Sequence, residues 1–345
     1  MPLYNGADYV GDAIHSILAQ SYQDFELLVI DDGSEDAGPA LVRAIADARV
    51  RLLDGRTHAG IAAARNRGLS EARGSRIAFF DSDDLAAPGM LEAMMQCMDA
   101  DGGCDIVTGW SEGVDERGQP TNVNSTEKIA DEAIAPSLLF RNCIVTSALL
   151  IKRECLEGAA FDETLEVASD YDLWARIMPG RRTRQLRRSL VRYRSHPGNI
   201  SHRKRALAQG CLRRIHARQL SRLGVEASDA DLTLHARLAD LTFGTSKETV
   251  LAAEAWLLNL EAANARAGLY PAPAFRKVLG AQWYRVCHSA GGNGFWTWRR
   301  YFAAPLFKWS SPTGKERYDL LRLTARGALR NLLRPRRQRD PLSST

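Results

Sequence analysis

The sequence predicts an α/β fold: a mostly parallel sheet flanked by helices, followed by a mainly α-helical C-terminal region. Three observations carry this. Over residues 1–110 short apolar runs alternate with helical patterns, the order expected when buried strands are covered by helices on both faces. Two of these runs end in acidic clusters, Asp31-Asp32-Gly33-Ser34 and Asp81-Ser82-Asp83-Asp84, and such sheets bind ligands beyond the carboxyl ends of their strands. From about residue 205 the apolar spacing turns helical and stays so.

The elements follow in order. A helix is expected over residues 10–20, then a strand over 25–30, the run Phe-Glu-Leu-Leu-Val-Ile. Residues 39–48 read as a helix opened by proline, and 50–53 as a short strand. An Ala-rich helix at 60–72 precedes a strand at 76–80, a helix at 88–99 and a strand at 105–108. Residues 111–135 are polar and read as loop. A strand at 147–152, a helix at 169–178 and an extended segment at 186–193 follow. Further helices are expected at 205–222, 229–241, 247–267, 274–289 and 316–333. The turn residues at 198–201 mark a domain boundary, giving domains over 1–204 and 205–334. Residues 335–345 mix Arg, Pro and Ser and read as a disordered basic tail.

Composition narrows the class. With 345 residues, 25% charged and 45% hydrophobic, the chain is neither disordered nor fibrous. No apolar run approaches the ~20 residues that span a bilayer, and no secretory leader is read. The six cysteines form no C-x-x-C pair, so reduced thiols and a cytoplasmic setting are expected. The net charge of +5 conceals asymmetry. Residues 173–225 hold 15 Lys+Arg and no acid, and residues 296–339 hold 12 Lys+Arg against Glu316 and Asp319. The remainder is therefore strongly acidic.

The acidic clusters suggest chemistry. Asp81 and Asp83, two residues apart at a strand end, can both reach one divalent ion, and Mg²⁺ or Mn²⁺ takes carboxylates together with substrate phosphates. A strand-end turn uses the same residues, so this pair alone does not decide. Asp31 and Asp32 face the same crevice and could accept hydrogen bonds from a base or ribose, although Asp-Gly is also an ordinary turn. In the Ala-rich helix, Arg65 can point at a phosphate or an acidic cluster. Asp170 could act as a general base on an acceptor hydroxyl, while aspartate at a helix start is commonly a cap. Asp172 reads as structural, and Trp174 as a packing residue with an edge toward a sugar. Residues 193–201 offer Arg194, His196 and Ser201 on one loop.

Taken together in this order, the segments resemble the family 2 glycosyltransferases of the GT-A fold, a Rossmann-like architecture. The matching stretches are Met-Pro-Leu-Tyr-Asn-Gly at 1–6, Asp-Phe-Glu-Leu-Leu-Val-Ile-Asp-Asp-Gly-Ser at 24–34, Ala-Ala-Ala-Arg-Asn-Arg-Gly at 62–68 and Ile-Ala-Phe-Phe-Asp-Ser-Asp-Asp at 77–84. Phe-Asp-Glu-Thr-Leu at 161–165, Ser-Asp-Tyr-Asp-Leu-Trp at 169–174 and Tyr-Arg-Ser-His-Pro-Gly-Asn-Ile-Ser at 193–201 complete them. The resemblance spans about residues 1–203. It implies a nucleotide-sugar donor, typically UDP-linked, met by Leu3, Tyr4 and Asn5. Asp32 would sit by the base or ribose with Asp31 beside it, and Arg65 would line the nucleotide pocket. Asp81 would face the ribose or metal, and Asp83 would hold the metal, Mg²⁺ or Mn²⁺. Asp170 would be the base of a single inverting displacement, with Arg194 and His196 approaching the diphosphate once the loop closes.

Two departures from the family pattern stand out. Ser169 replaces the Glu that many relatives carry before the base. The strand that precedes the P-x-Y-N segment in the family is missing, which leads to the expectation of a true start about 5–15 residues upstream, one strand's length.

In the last basic segment Arg322, Arg326, Arg330 and Arg334 recur at i, i+4. This cationic stripe could lie on an anionic membrane, or the helix could pack its leucines on the domain. No nucleic-acid module is present, so no nucleic-acid partner is expected. The expected function is metal-dependent transfer of a sugar to a glycan or lipid-linked acceptor in cell-envelope polysaccharide assembly. The competing classes are a catalytically weak nucleotide-binding or scaffold protein and a nucleotidyltransferase. The last would need a Gly-rich basic loop that Tyr4-Asn5-Gly6 does not supply.

Overall fold

The computed structural model describes residues 1–333 apart from 56, 101, 126, 200–204, 241 and 243. The expected tail at 335–345, Arg334 and Ser201 lie outside the described residues. The chain divides into two compact units, residues 1–138 with 142–215 and residues 139–141 with 216 onward. The division falls within the helix Arg205–Arg222.

The first unit carries two sheets. β1 (Pro2–Leu3), β2 (Leu27–Asp31) and β3 (Val50–Leu53) run parallel in the order β1-β2-β3. β2 is buried along its whole length, which is why it reads as an unbroken apolar run rather than an alternating one. The second sheet contains β4 (Arg76–Phe79), β5 (Leu85–Ala86), β6 (Ile106–Val114), β7 (Pro120–Ser125), β8 (Leu149–Lys152) and β9 (Thr183–Arg194), in the order β4-β8-β6-β9-β5 with β7 beside β6. Only β6 and β9 are parallel here; β4–β8, β8–β6, β6–β7 and β5–β9 are antiparallel. The expected parallel order thus holds for the first sheet, and the second is mixed. Residues 111–135, expected as loop, instead extend β6 and add β7. The residues of β7 are almost all exposed and polar, so no apolar alternation marks it as a strand.

Helix α1 (Val10–Leu18) buries Val10, Ala13, Ile14 and Ile17, a helical stripe that joins Leu27 and Val29 of β2 in one core. Helix α2 (Gly38–Arg43) is shorter than expected. Helix α3 (Ile61–Glu71) lies very close to β2. A Cβ on Gly68 would fall 2.8 Å from Ile30 Cδ1, so the small-residue run sets the helix-to-sheet distance. Helix α4 (Met90–Asp99) adds Met90, Met94 and Met98 to the same core.

β1 is only two residues long and pairs with the end of β2. The Met1 amine donates to the Leu28 carbonyl at 2.9 Å, and Ile30 N–H donates to the Met1 carbonyl at 2.8 Å. Burial lowers the pKa of this amine to about 5. Beyond it lies a cavity of about 640 Å³ whose walls include Leu27, Leu28 and Ile30 of β2 and Ile77 and Phe79 of β4. Among the described residues β4 pairs only with β8, and no strand lies along its second edge.

Helices α5 (Ile134–Ser137), α6 (Ser169–Ile177) and the start of α7 (Arg205–Arg222) complete the first unit. The second unit holds α8 (Asp229–Asp240), α9 (Lys247–Ala267), α10 (Ala272–Ser289), α11 (Phe295–Ala303) and α12 (Gly314–Leu333) around Leu257, Phe275 and Trp283. Ser246 caps α9 by accepting from the Thr249 N–H, and Gly268 ends it in the left-handed region. Helix α11 was not anticipated; its aromatic and arginine residues give no clear apolar stripe. Among the described residues no helix is long and apolar enough to cross a membrane. All six cysteines are free thiols, four of them buried.

Candidate functional site

A cleft of about 820 Å³ opens in the first unit beyond β2 and β4. Its walls bring together most of the residues singled out in the sequence: Leu3, Tyr4, Asn5, Asp32, Arg65, Asp81, Asp83, Asp170 and His196. Asp31 and Arg194 do not line it.

The first loop shapes one side. The Leu3 side chain is core, and its carbonyl accepts the Asp32 N–H at 2.8 Å; the contribution of Leu3 is therefore made through backbone. Asn5 adopts a left-handed conformation (φ 48°), which Asn tolerates better than most residues, and its side chain accepts from the Glu35 N–H at 2.8 Å. Tyr4 is exposed and stacks on His58 with ring centroids 3.9 Å apart. His58 was not identified from sequence. It stands alone in a polar stretch, and only folding sets its Nδ1 2.8 Å from Asp32.

The two aspartates after β2 divide their work. Asp31 is buried and accepts from the Ser34 N–H at 3.0 Å, an ordinary Asx turn. Asp32 holds the start of α3, accepting from the N–H groups of Ala59 and Gly60 at 2.8 Å each. One face of Asp32 remains on the cleft wall.

The cluster after β4 is the electrostatic centre. Arg65, almost fully buried, donates to Asp81 at 2.8 Å and lies over the Phe161 ring. Asp83 is held through one oxygen by His196 Nε2 at 3.0 Å and Asn199 Nδ2 at 3.1 Å. Burial raises the pKa of Asp83, the neighbouring Asp81 charge adds to this, and His196 opposes it. Asp84, not selected from sequence, is buried and accepts from Ser147 Oγ at 2.6 Å and the Arg194 N–H at 3.1 Å. Burial, then Asp83 and Asp81, push its pKa well upward. Arg194 does not reach toward the cleft as expected. Its guanidinium donates to the carbonyls of Asp83 at 2.9 Å and Glu116 at 2.7 Å and pairs with Asp12 at 3.4 Å. It fastens the Asp83 turn from behind.

Asp170 opens α6, following Ala168 in the left-handed region. Thr146 Oγ1 donates to its carboxylate at 2.8 Å and Asn142 Nδ2 at 3.3 Å. Neither partner was legible in the sequence, since each lies more than 20 residues away. Asp172 is structural as expected, paired with Arg176 at 2.8 Å. Trp174 offers no edge to a sugar. It is fully buried against Phe79 and Phe161, where the large apolar ring is stabilised by packing.

Among the described residues no group of three or more His, Cys, Asp or Glu is arranged to hold a metal ion.

Comparison with known proteins agrees with this geometry. The family described as "Glycosyl transferase family 2" matches residues 1–152. The succinoglycan biosynthesis protein ExoO of Rhizobium meliloti (strain 1021) is 37% identical over 183 residues, covering 50% of this chain and 52% of that protein. The glycosyltransferase GlyG of Streptococcus pneumoniae serotype 4 is 38% identical over 98 residues, covering 28% of this chain and 33% of that protein. The chain spans about half the length of ExoO and a third of GlyG. The fold is similar to that of S. aureus TarS 1–349, with a TM-score of 0.53 and 17% identity over 87% of this chain and 90% of that chain. Residues 1–152 of the chain thus match the model of glycosyl transferase family 2.

Proposed function

We propose that the cleft transfers a sugar from a nucleotide-activated donor, UDP-linked, to a hydroxyl of a glycan or lipid-linked acceptor, with inversion at the anomeric carbon. The observation that supports this best is Asp170, held by Thr146 and Asn142 on the wall of the same cleft as Asp81 and Asp83. Asp170 takes the proton from the acceptor hydroxyl as its oxygen attacks the anomeric carbon. Tyr4 and His58 offer an aromatic face for the base, and Asp32 a carboxylate edge for base or ribose. Arg65 and His196 stand where the diphosphate leaves.

Mg²⁺ or Mn²⁺ fits the donor set. Burial, and after it the charge of Asp81, raises the pKa of Asp83, and a cation would offset that charge. Asp81 and Asp83 would hold the ion, which would supply charge neutralisation for the departing diphosphate. Six free thiols suit a cytoplasmic enzyme, and the similarity to ExoO supports a place in polysaccharide assembly.

The test is hydrolysis or transfer of nucleotide sugars by the purified chain with Mn²⁺, beside Asp83→Ala and Asp170→Asn. Asp170→Asn should lose about 10²–10⁴-fold in rate with donor binding kept. Asp83→Ala should lose metal dependence. Equal behaviour of the three proteins would assign the cleft to nucleotide binding without catalysis.

A further inference from the structure

We propose that α12 and the neighbouring start of α11 form a docking face for a bilayer that contains anionic lipid. The inference goes beyond the catalytic reading and does not depend on it.

Helix α12 has two distinct faces. On one, Leu320, Thr324 and Gly327 are buried. A Cβ on Gly327 would come within 2.5 Å of the Gly291 carbonyl oxygen, and Tyr284 Oη donates to the Glu316 carbonyl at 3.0 Å. These contacts fix how the helix is rotated in its unit. Leu321, Leu329 and Leu332 do not join Leu320 on that face. Tyr318, Leu321, Ala325, Leu329 and Leu332 follow one another at i, i+3, i+7, i+11 and i+14. At about 100° per residue these positions share a sector of about 80° on the outer side. Their exposures are high: 63% for Tyr318, 42% for Leu321, 58% for Leu329 and 70% for Leu332. Scattered exposed apolar residues are ordinary, but an ordered row of them marks an interaction surface.

Charge specifies the partner. Arg322, Arg326 and Arg330 run along one flank of this row, and Arg317 stands on the other. The acids of the helix do not interrupt it. Glu316 accepts from the Thr313 N–H at 2.7 Å, and Asp319 pairs with Arg322 at 3.7 Å. The row continues onto α11. Gly294 sits against Ala328, where a Cβ would lie 3.0 Å from the Ala328 Cα, and the next residue, Phe295, is 53% exposed.

An apolar row edged by arginines matches the boundary between acyl chains and phosphate headgroups. Leucine and phenylalanine enter the apolar side while the guanidinium forks meet phosphate. A second copy of the chain is a poorer match. A two-fold contact would set the same arginines near each other with no uncommitted carboxylate on this face to answer them.

The test uses the full chain and sedimentation with vesicles of phosphatidylcholine alone or with about 30% phosphatidylglycerol, at low and high salt. The intact protein should pellet with the anionic vesicles at low salt and remain in solution with the neutral ones. Leu329→Ser with Leu332→Ser should lower partitioning by about tenfold or more. Arg322→Glu with Arg326→Glu and Arg330→Glu should remove the preference for anionic vesicles. All five positions are exposed, so circular dichroism should be unchanged. Failure of the intact chain to bind anionic vesicles, or equal binding by the variants, would overturn the proposal. A dimer in light scattering that the leucine variant dissociates would also overturn it, assigning the face to a second copy.

Discussion

Asp170 is informative because of what holds it. A carboxylate at a helix start can be nothing more than a cap, but here Thr146 and Asn142 approach it from a separate segment. A positioning residue affects turnover more than binding. Thr146→Val keeps the side chain's shape and removes its hydroxyl. It should lower kcat by about tenfold and leave the KM for donor within about twofold; steady-state kinetics with either substrate varied would show this. An unchanged kcat would mean that Thr146 only packs. The same reasoning shows what sequence can and cannot say about single residues. That Asp81, Asp83 and Asp170 line one cleft was legible because each lies at a strand or helix end. His58, Asn142, Thr146 and Asn199 act through partners that are remote in sequence. Arg194 was misjudged for the opposite reason: its guanidinium is committed to the Asp83 and Glu116 carbonyls, and chain neighbours give no sign of this.

Elements were legible wherever burial wrote a pattern. β2 is buried on both faces, α1 has its apolar stripe, and the long helices of the second unit have helical spacing. Strand direction was not, because pairing is decided by long-range register. β6 meets β9 in parallel and β8 in antiparallel fashion, and nothing in the residues of β6 announces either. The cavity between β2 and β4 is the clearest consequence of element-scale structure. It is about 640 Å³, faces the apolar residues of both strands, and is lined at one point by the buried Met1 end. The open edge of β4 leaves backbone groups that a further strand could pair. A segment of about five alternating β-branched residues placed ahead of Met1 should therefore occupy the cavity as a strand. It should raise stability by about 2–4 kcal/mol, from buried side chains and from hydrogen bonds on two edges. Urea unfolding of the extended and parent chains would measure it. A Gly-Ser extension of equal length should give no gain, and equal midpoints for the two extensions would show that the cavity does not accept a strand.

Across the whole molecule the two units differ in how they respond to acid. The second unit buries His216 and His235 with ring centroids 4.9 Å apart. Burial lowers the pKa of His216 to about 4, and burial followed by the His216 charge lowers that of His235 to about 3. The bonding of His235 explains why it stays neutral. Its Nε2–H donates to the Leu139 carbonyl at 2.9 Å, and its Nδ1 accepts from Trp256 Nε1 at 3.2 Å. A proton on Nδ1 would turn that acceptor into a second donor facing an indole N–H. Both folded pKa values lie below the unfolded value of about 6.5, so the unfolded chain binds more protons and stability falls with pH. The stabilisation is fully present above pH 6.5 and is lost from there down toward pH 4 and 3. Between pH 7 and pH 5 each histidine should cost about 2 kcal/mol. Five of the seven tryptophans, Trp256, Trp283, Trp296, Trp298 and Trp309, lie in the second unit, so tryptophan fluorescence follows its unfolding. The urea midpoint by fluorescence should drop by on the order of 1–2 M over that interval. His216→Leu should reduce the drop by about half, since one titrating group is removed while the buried volume is kept. A midpoint that does not move between pH 7 and pH 5 would show that these histidines gain protons as easily in the folded unit as in water.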